Sequence, residues 1–196
     1  MREFYDDGLA ILDFIKKKRS EYFTLRNWHL AGIETPIVIA PDKRYKNVLF
    51  NGFIDLVLYH EPTNEFYIYD IKTSTRGWGD KEKKDEIKQF QVLLYKHFFS
   101  EQFGVPEDNI HVEFFILKRK IWEKSDFPQK RIQQFAPTAG KIKMKKAKTA
   151  LNKFIEDVFN TDGTFKTTDH QATPNKSSCL YCQYKDKREL CDKASS

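Results

Sequence analysis

The amino-acid sequence predicts an α/β fold in which helices flank a mixed β-sheet. Two segments rich in β-branched and aromatic residues, 51–59 and 66–74, are joined by a short turn that contains Pro62. Segments with helical periodicity lie before and after this hairpin. Elements in the order helix, strand, hairpin, helix, strand typically pack as helices on the faces of one sheet. We expect one domain over residues 1–170, with a cysteine-containing tail, 171–196, packed on it.

The other elements follow from local periodicity and from turn residues. In chain order they are a helix over 6–23, a strand over 32–40, a polar loop over 73–84, a helix over 85–103, strands over 110–119 and 131–135, and a helix over 138–159. Pro36 predicts that the first strand lies at an edge or bends, because proline cannot donate to a sheet ladder. Gly104 followed by Pro106 predicts the end of the second helical segment, 85–103.

Composition bounds the kinds of protein that this chain can be. At 196 residues with 17 Phe and 9 Tyr, it has enough apolar bulk for one core. No segment resembles a membrane span or a secretory signal peptide, so we expect an intracellular protein. The formal charge of +6 suits an anionic partner, or only a lysine-rich solvated surface. Five lysines between residues 141 and 148 spread round their helix, which favours the solvated surface over contact with a nucleic-acid backbone.

The hairpin also carries two carboxylates on otherwise apolar strands. Side-chain alternation sets Asp55 on one face with Phe53 and Val57, and it sets Asp70 and Lys72 together on one face of the second strand. Symmetric closure of the turn places Asp55 opposite Asp70, with Cβ atoms roughly 5 Å apart. A cation such as Mg²⁺ would relieve their repulsion, and it could activate water for attack on a phosphodiester. The alternative is a solvated Asp55 beside an ordinary Asp70–Lys72 surface pair.

Three motifs in chain order resemble those of the PD-(D/E)XK nuclease superfamily, in particular its RecB-, Cas4- and AddB-like exonuclease branch: Gly52-x-x-Asp55, Asp70-x-Lys72, and Gln91-x-x-x-Tyr95. The resemblance implies a restriction-endonuclease-like core. It also implies that Asp55 and Asp70 bind Mg²⁺ or Mn²⁺ and that Lys72 positions the attacking water. By the same resemblance, Gln91 and Tyr95 flank the site and help to engage DNA.

The function implied by this resemblance is that of a metal-dependent deoxyribonuclease, most closely an exonuclease acting on DNA ends or single strands. Recombination, repair or phage replication would be its setting, in the cytoplasm of a bacterium or a phage-infected host. The branch usually supplies a metal-binding histidine from an upstream helix, and this chain has only His29 and Glu34 as upstream candidates. We therefore expect a missing N-terminal segment or a companion chain. The competing hypothesis is a non-catalytic or partner-dependent DNA-binding subunit.

The loop after the Asp-x-Lys strand offers further DNA contacts. Thr73, Ser74 and Arg76 suit phosphate binding, and Trp78 offers a surface on which an unpaired base could stack. Lys88, one helical turn before the glutamine of the third motif, would add a phosphate contact. The alternative is a flexible surface loop with a packed tryptophan.

Three cysteines close the sequence: Cys179, Cys182 and Cys191. The C-x-x-C spacing is typical of ligands for zinc or an iron–sulfur cluster. By resemblance to Cas4- and AddB-like proteins, they would hold a [4Fe–4S] cluster whose fourth cysteine comes from outside this chain. Nothing in its flanks favours His170 as a substitute ligand, and three free thiols in a polar tail are the alternative.

Overall fold

The computed structural model describes residues 2–23, 26–122, 124–167, 176–187 and 189–191. They form two compact units, residues 1–164 and 165–196. The elements of the first unit are α1 (Arg2–Tyr22), β1 (Trp28–Ile39), β2 (Phe50–His60), β3 (Glu65–Ser74), α2 (Asp80–Lys84), α3 (Glu86–Phe103), β4 (Ile110–Lys118), β5 (Ile132–Phe135) and α4 (Lys141–Val158). The second unit contains one short helix, α5 (Lys176–Cys179).

The sheet has five strands in the order β1-β2-β3-β4-β5. All neighbouring pairs are antiparallel except β3 and β4, which run parallel and are joined through α2 and α3. The predicted mixed α/β sheet is therefore confirmed. The first strand lies at the edge of the sheet, as Pro36 predicted. Its missing N–H therefore removes no hydrogen bond between central strands.

One face of the sheet packs against α3 and α4. Buried aliphatic and aromatic side chains from β2, β3, β4 and α3 form this main core, and Phe98, Phe114 and Ile116 are among its fully buried members. Asp85 caps the N-terminus of α3, and its carboxylate accepts hydrogen bonds from the backbone N–H groups of residues 87 and 88. Gly104 caps the C-terminus and adopts the left-handed conformation at φ 68°, as the sequence pattern predicted.

The first helix covers the opposite face. Phe14, Tyr22 and Phe23 pack beside Tyr69 and Phe115, forming a smaller aromatic cluster on this side of the sheet. The N-terminal part of α1 is held by ion pairs. The buried carboxylate of Asp7 lies 3.0 Å from the ammonium of Lys120 and 3.9 Å from the guanidinium of Arg119.

Several observed elements differ from the predicted ones in their bounds. The first helix begins at Arg2, four residues before the predicted start, and α4 begins at Lys141, three residues after it. The first strand begins at Trp28, four residues before the predicted segment, so His29 belongs to the strand. The predicted loop 73–84 is largely ordered, because Thr73 and Ser74 complete β3 and the last five residues form α2. No helix among the described residues is long and apolar enough to cross a membrane.

Candidate active site

The hairpin brings the two carboxylates together. The strands pair as Leu56 with Tyr69 through to His60 with Glu65, which is the predicted symmetric closure. Continued by one residue, this register sets Asp55 against Asp70. The Asp55 carboxylate also accepts a hydrogen bond of 2.5 Å from the backbone N–H of Ile71. It is thereby fixed at the backbone next to Asp70.

Strict alternation does not hold along β2. Ile54 and Val57, three residues apart, both belong to the main core, whereas Leu56 packs with the smaller cluster on the opposite face. Phe53 is 53% exposed and Val57 only 1%. The expectation that Phe53 and Val57 share one face with Asp55 is therefore wrong. The alternation changes phase at Asp55, where the backbone pairing with β3 stops and the carboxylate takes a backbone hydrogen bond instead.

Asp70 is the most buried acid of this group, at 3% exposure. The Lys72 ammonium lies 2.7 Å from Asp70 Oδ2, and this lysine side chain remains about one-third exposed at 35%. Burial raises the pKa of Asp70; the attraction of Lys72 opposes the rise, and the charge of Asp55 adds to it. The Lys72 ammonium is the cationic partner of Asp70 Oδ2, which accepts no other hydrogen bond from the residues that the structure describes. A buried carboxylate oxygen with one cationic partner can accept a second one.

The third motif packs directly against the first. Tyr95 is 7% exposed, and its hydroxyl accepts a hydrogen bond of 3.3 Å from the side-chain amide of Gln91. Its ring lies against Gly52 so closely that a Cβ atom there would be 2.9 Å from Cε1. The glycine of Gly52-x-x-Asp55 thus admits the tyrosine of the helix. This contact joins the first motif on β2 to the third motif on α3.

These residues fit a divalent cation. Mg²⁺ usually takes one or two carboxylates and completes its shell with water and phosphate oxygens, and Asp55 and Asp70 supply two hard oxygen donors. The burial of Asp70 beside a second carboxylate favours that fit, because the charge of Asp55 raises the pKa of Asp70 and a cation would offset this repulsion. Within the described ranges, no set of three His, Cys, Asp or Glu side chains is close enough to hold a metal ion. The protein's side-chain contribution is therefore this carboxylate pair.

A family model of the PD-(D/E)XK nuclease superfamily matches residues 8–187. The chain belongs to the PD-(D/E)XK nuclease superfamily. No curated protein matches it. The matching model is that of the superfamily, so the resemblance to the RecB-, Cas4- and AddB-like branch stays a prediction, as does a missing N-terminal segment.

The two upstream candidates for metal ligands lie at different distances from the superfamily motifs. His29 pairs with Tyr59 in the sheet, four residues along β2 from Asp55, which corresponds to roughly 13 Å. Its ring contacts Glu61 Oε2 at 3.1 Å in an exposed pair. The pairs on either side of Glu34 set it opposite Asp55, but its backbone is left-handed at φ 48° and its side chain is exposed. Neither enters a group of metal ligands among the described residues.

The loop after β3 is anchored more firmly than the sequence indicated. The ring of Trp78 is partly buried, with its centroid 4.8 Å from that of Phe114, and Lys88 lies over it at 5.5 Å. Gln133 clamps the Trp78 backbone, accepting from its N–H at 2.7 Å and donating to its carbonyl at 3.0 Å. This geometry favours the packing alternative for Trp78. Sequence reasoning missed Gln133, because a glutamine on a four-residue strand carries no local signal.

The two hydroxyl side chains at the end of β3 differ in their contacts: Ser74 closes a turn, and Thr73 is exposed. Ser74 Oγ donates to the carbonyl of Gly77 at 2.8 Å and accepts from its N–H at 3.1 Å, so this hydroxyl closes the turn. Thr73 and Arg76 are exposed and remain candidates for phosphate contact.

Two of the five lysines early in α4 hold this helix against α3. The Lys143 ammonium lies 2.5 Å from the side-chain oxygen of Gln89, and the Lys146 ammonium lies 3.0 Å from the carboxylate of Glu86.

The three cysteines lie in the second unit as free thiols of intermediate exposure. Cys179 ends α5, and Cys182 Sγ accepts a hydrogen bond of 3.4 Å from the N–H of Tyr184. In the part of the chain that the structure describes, they do not form a three-ligand group. Their predicted convergence is therefore not seen, and His170 lies outside the described residues.

Proposed function

We propose that this chain is a divalent-metal-dependent deoxyribonuclease that hydrolyses phosphodiester bonds at Asp55, Asp70 and Lys72. The observation that carries the proposal is the buried carboxylate of Asp70, with Asp55 beside it and the Lys72 ammonium at 2.7 Å. A chain of the nuclease superfamily needs these groups for phosphoryl chemistry. As a structural ion pair alone, the second carboxylate would only add repulsion.

Each side chain has a distinct role in this proposal. Asp55 and Asp70 would hold Mg²⁺ or Mn²⁺, which, when bound, supplies Lewis-acid stabilisation of phosphate charge and lowers the pKa of water. Lys72, partly exposed beside Asp70, orients the attacking water and donates to a phosphoryl oxygen as negative charge develops. The water oxygen forms the new bond to phosphorus and releases a proton to solvent, the bond to the leaving sugar oxygen breaks, and that oxygen takes a proton from solvent.

The supporting contacts fix the reacting groups before substrate arrives. The backbone N–H of Ile71 holds the Asp55 carboxylate, which limits its rotation. The Gln91–Tyr95 pair forms the wall of the site on the α3 side, with the amide and phenol within reach of the sugar–phosphate backbone. Preorganised groups of this kind cost no rearrangement during the reaction.

DNA is the proposed substrate, with ends or unpaired strands favoured over internal duplex sites. The chain carries a formal charge of +6, and Thr73 and Arg76 lie exposed just beyond the catalytic strand. We extend the proposal, by resemblance, to exonuclease action in recombination, repair or phage replication. A [4Fe–4S] cluster or zinc site at Cys179, Cys182 and Cys191 stays a prediction from the resemblance and is separate from this proposal.

The decisive experiment measures cleavage of single-stranded, linear duplex and circular DNA with and without Mg²⁺ or Mn²⁺. Asp70→Asn is expected to abolish cleavage while the fold persists, since the amide keeps the shape but loses the charge. The unfolding free energy of the metal-free variant should stay level or rise, because removing one of two neighbouring carboxylates relieves repulsion.

The matched control is Glu113→Gln. Glu113 lies on the adjacent strand, pairs with Tyr69 in the register, and contacts Gln134 at 3.1 Å. Burial raises the pKa of Glu113 as it does that of Asp70, but Glu113 stands outside the proposed site. The Glu113→Gln variant should therefore cut DNA at the parental rate. If Asp70→Asn cuts DNA as fast as the parent protein with Mg²⁺, the nuclease assignment is wrong; if the parent binds DNA but never cuts, the non-catalytic subunit is the better account.

A further inference from the structure

A recess opens at the carboxyl ends of β3 and β4, beyond the proposed catalytic lysine Lys72. It has a volume of about 460 Å³ and is lined by Arg76, Lys118, Lys120, Ile121, Trp122 and Gln129. Three of these six side chains are cationic and none is acidic. The recess is therefore a basic concavity with an apolar wall, in the first unit of the chain.

Two of its cations lack a counter-ion. Lys120 is neutralised by Glu3 at 2.9 Å and Asp7 at 3.0 Å. Arg76 and Lys118, by contrast, have no acidic partner within 4.0 Å among the residues that the structure describes. The stem of Lys118 packs on Gly77, and burial lowers the pKa of its ammonium. An anion placed between Arg76 and Lys118 would offset the desolvation of the Lys118 charge.

Trp122 gives the recess an exposed aromatic surface. Its side chain is 68% exposed, and no ring or cation contact to it exists among the described residues. Trp78, in contrast, is packed against Phe114 and Phe135. A large ring left in water beside unpaired cations is the combination that binds an unpaired nucleotide, with the phosphate on the cations and the base on the ring.

The recess lies in line with the catalytic lysine. Lys72 pairs with Ile116 across the parallel strands, and Lys118 is two residues further along β4. Strand spacing and rise put the Cα atoms of Lys72 and Lys118 roughly 8 Å apart. Alternation from Ile116 puts Lys118 on the same face of the sheet as the Asp70–Lys72 pair. That separation is about one to two nucleotides of an extended strand.

We infer that this recess binds the unpaired strand of a nucleic-acid substrate next to the scissile phosphate, with Trp122 stacking on a base and Lys118 and Arg76 contacting phosphates. The inference rests on the proposed nuclease function and specifies its substrate as one with single-stranded character at the site. It reassigns the base-stacking role from Trp78 to Trp122.

The test is equilibrium binding of a fluorescent twelve-nucleotide oligo-dT and a blunt duplex of equal length, measured by anisotropy without divalent cation. Trp122→Ala is expected to weaken oligo-dT binding about 5- to 150-fold and duplex binding by less than about 2-fold. Trp122→Phe should restore most of the lost affinity, because stacking needs a ring and not the indole N–H. Lys118→Gln should reduce the salt slope on oligo-dT by about 0.7.

The controls are an exposed aromatic and an exposed lysine elsewhere. Phe154→Ala, 57% exposed on α4, and Lys16→Gln, exposed on α1, should leave oligo-dT binding unchanged. Unchanged oligo-dT affinity in Trp122→Ala, or an equal loss on duplex and single strand, would overturn the inference. Because the measurement requires no cleavage, its failure is separable from a failure of the nuclease assignment, which shows in the cutting assay alone.

Discussion

Gly52→Ala is expected to disturb the candidate active site through one steric contact. A Cβ atom at this position lies 2.9 Å from Tyr95 Cε1 and 3.3 Å from its hydroxyl oxygen, well inside the usual separation of packed atoms. The Tyr95 ring has little room to move away from this Cβ atom. It is 7% exposed, its ring packs edge-to-face with Phe50 at 6.5 Å, and its hydroxyl accepts from Gln91.

The magnitude follows from the cost of overpacking a closed site. Inserting one methyl group into well-packed surroundings typically costs 1–3 kcal/mol, so we expect Gly52→Ala to lower the unfolding free energy by about that amount. For a chain of this size the melting temperature should fall by about 2–10 °C. Displacement of the Tyr95 ring also breaks its hydrogen bond with Gln91, and DNA cleavage should fall with it.

Urea unfolding and a cleavage assay measure the two effects. Gly8→Ala is the matched control, because a Cβ atom there meets nothing within 4 Å and the residue lies in α1. That control should gain about 0.5–1 kcal/mol, as alanine favours a helix over glycine. Combining Gly52→Ala with Tyr95→Ala removes the clash, so the double variant should be more stable than the sum of the two losses by about 1–3 kcal/mol. Parental stability and rate in Gly52→Ala, or strict additivity in the double variant, would refute the steric argument.

Two further predictions concern charge. Lys72→Ala should lower the single-turnover cleavage rate by about 10²–10³-fold and change the affinity for DNA and Mg²⁺ little, because the lysine acts mainly as charge develops in the transition state. An unchanged rate with weakened DNA binding would instead assign Lys72 to binding of the phosphate. Hydrogen bonds from Thr63 and His111, with a further one from Tyr67, lower the pKa of Glu65 from 4.5 to about 2. Its stabilisation is therefore complete above about pH 4.5 and is lost as the pH falls towards 2. Glu65→Gln should melt below the parent protein at pH 7 and converge with it towards pH 2, and a melting difference that stays constant between these pH values would contradict this.

The sequence alone determined most of the elements and the identity of the candidate active-site residues. Local periodicity and turn residues specify the helices and strands because these signals act over a few neighbouring residues. The hairpin register could be predicted as well, since a short turn between two strands of similar length sets the pairing. Asp55 and Asp70 follow from that register, as does the Gln91–Tyr95 spacing from the helical period.

The tertiary structure decided what local signals cannot encode. The change of phase at Asp55 arises where β2 stops pairing with β3, which alternation alone does not foresee. The extension of β1 to Trp28 takes His29 away from the carboxylates. Whether an aromatic ring is packed or free depends on distant residues: Phe114 and Gln133 hold Trp78, whereas Trp122 meets no ring or cation among the described residues. Burial and long-range pairing are properties of the assembled sheet, and they turn a set of motif residues into a site with a defined shape and charge.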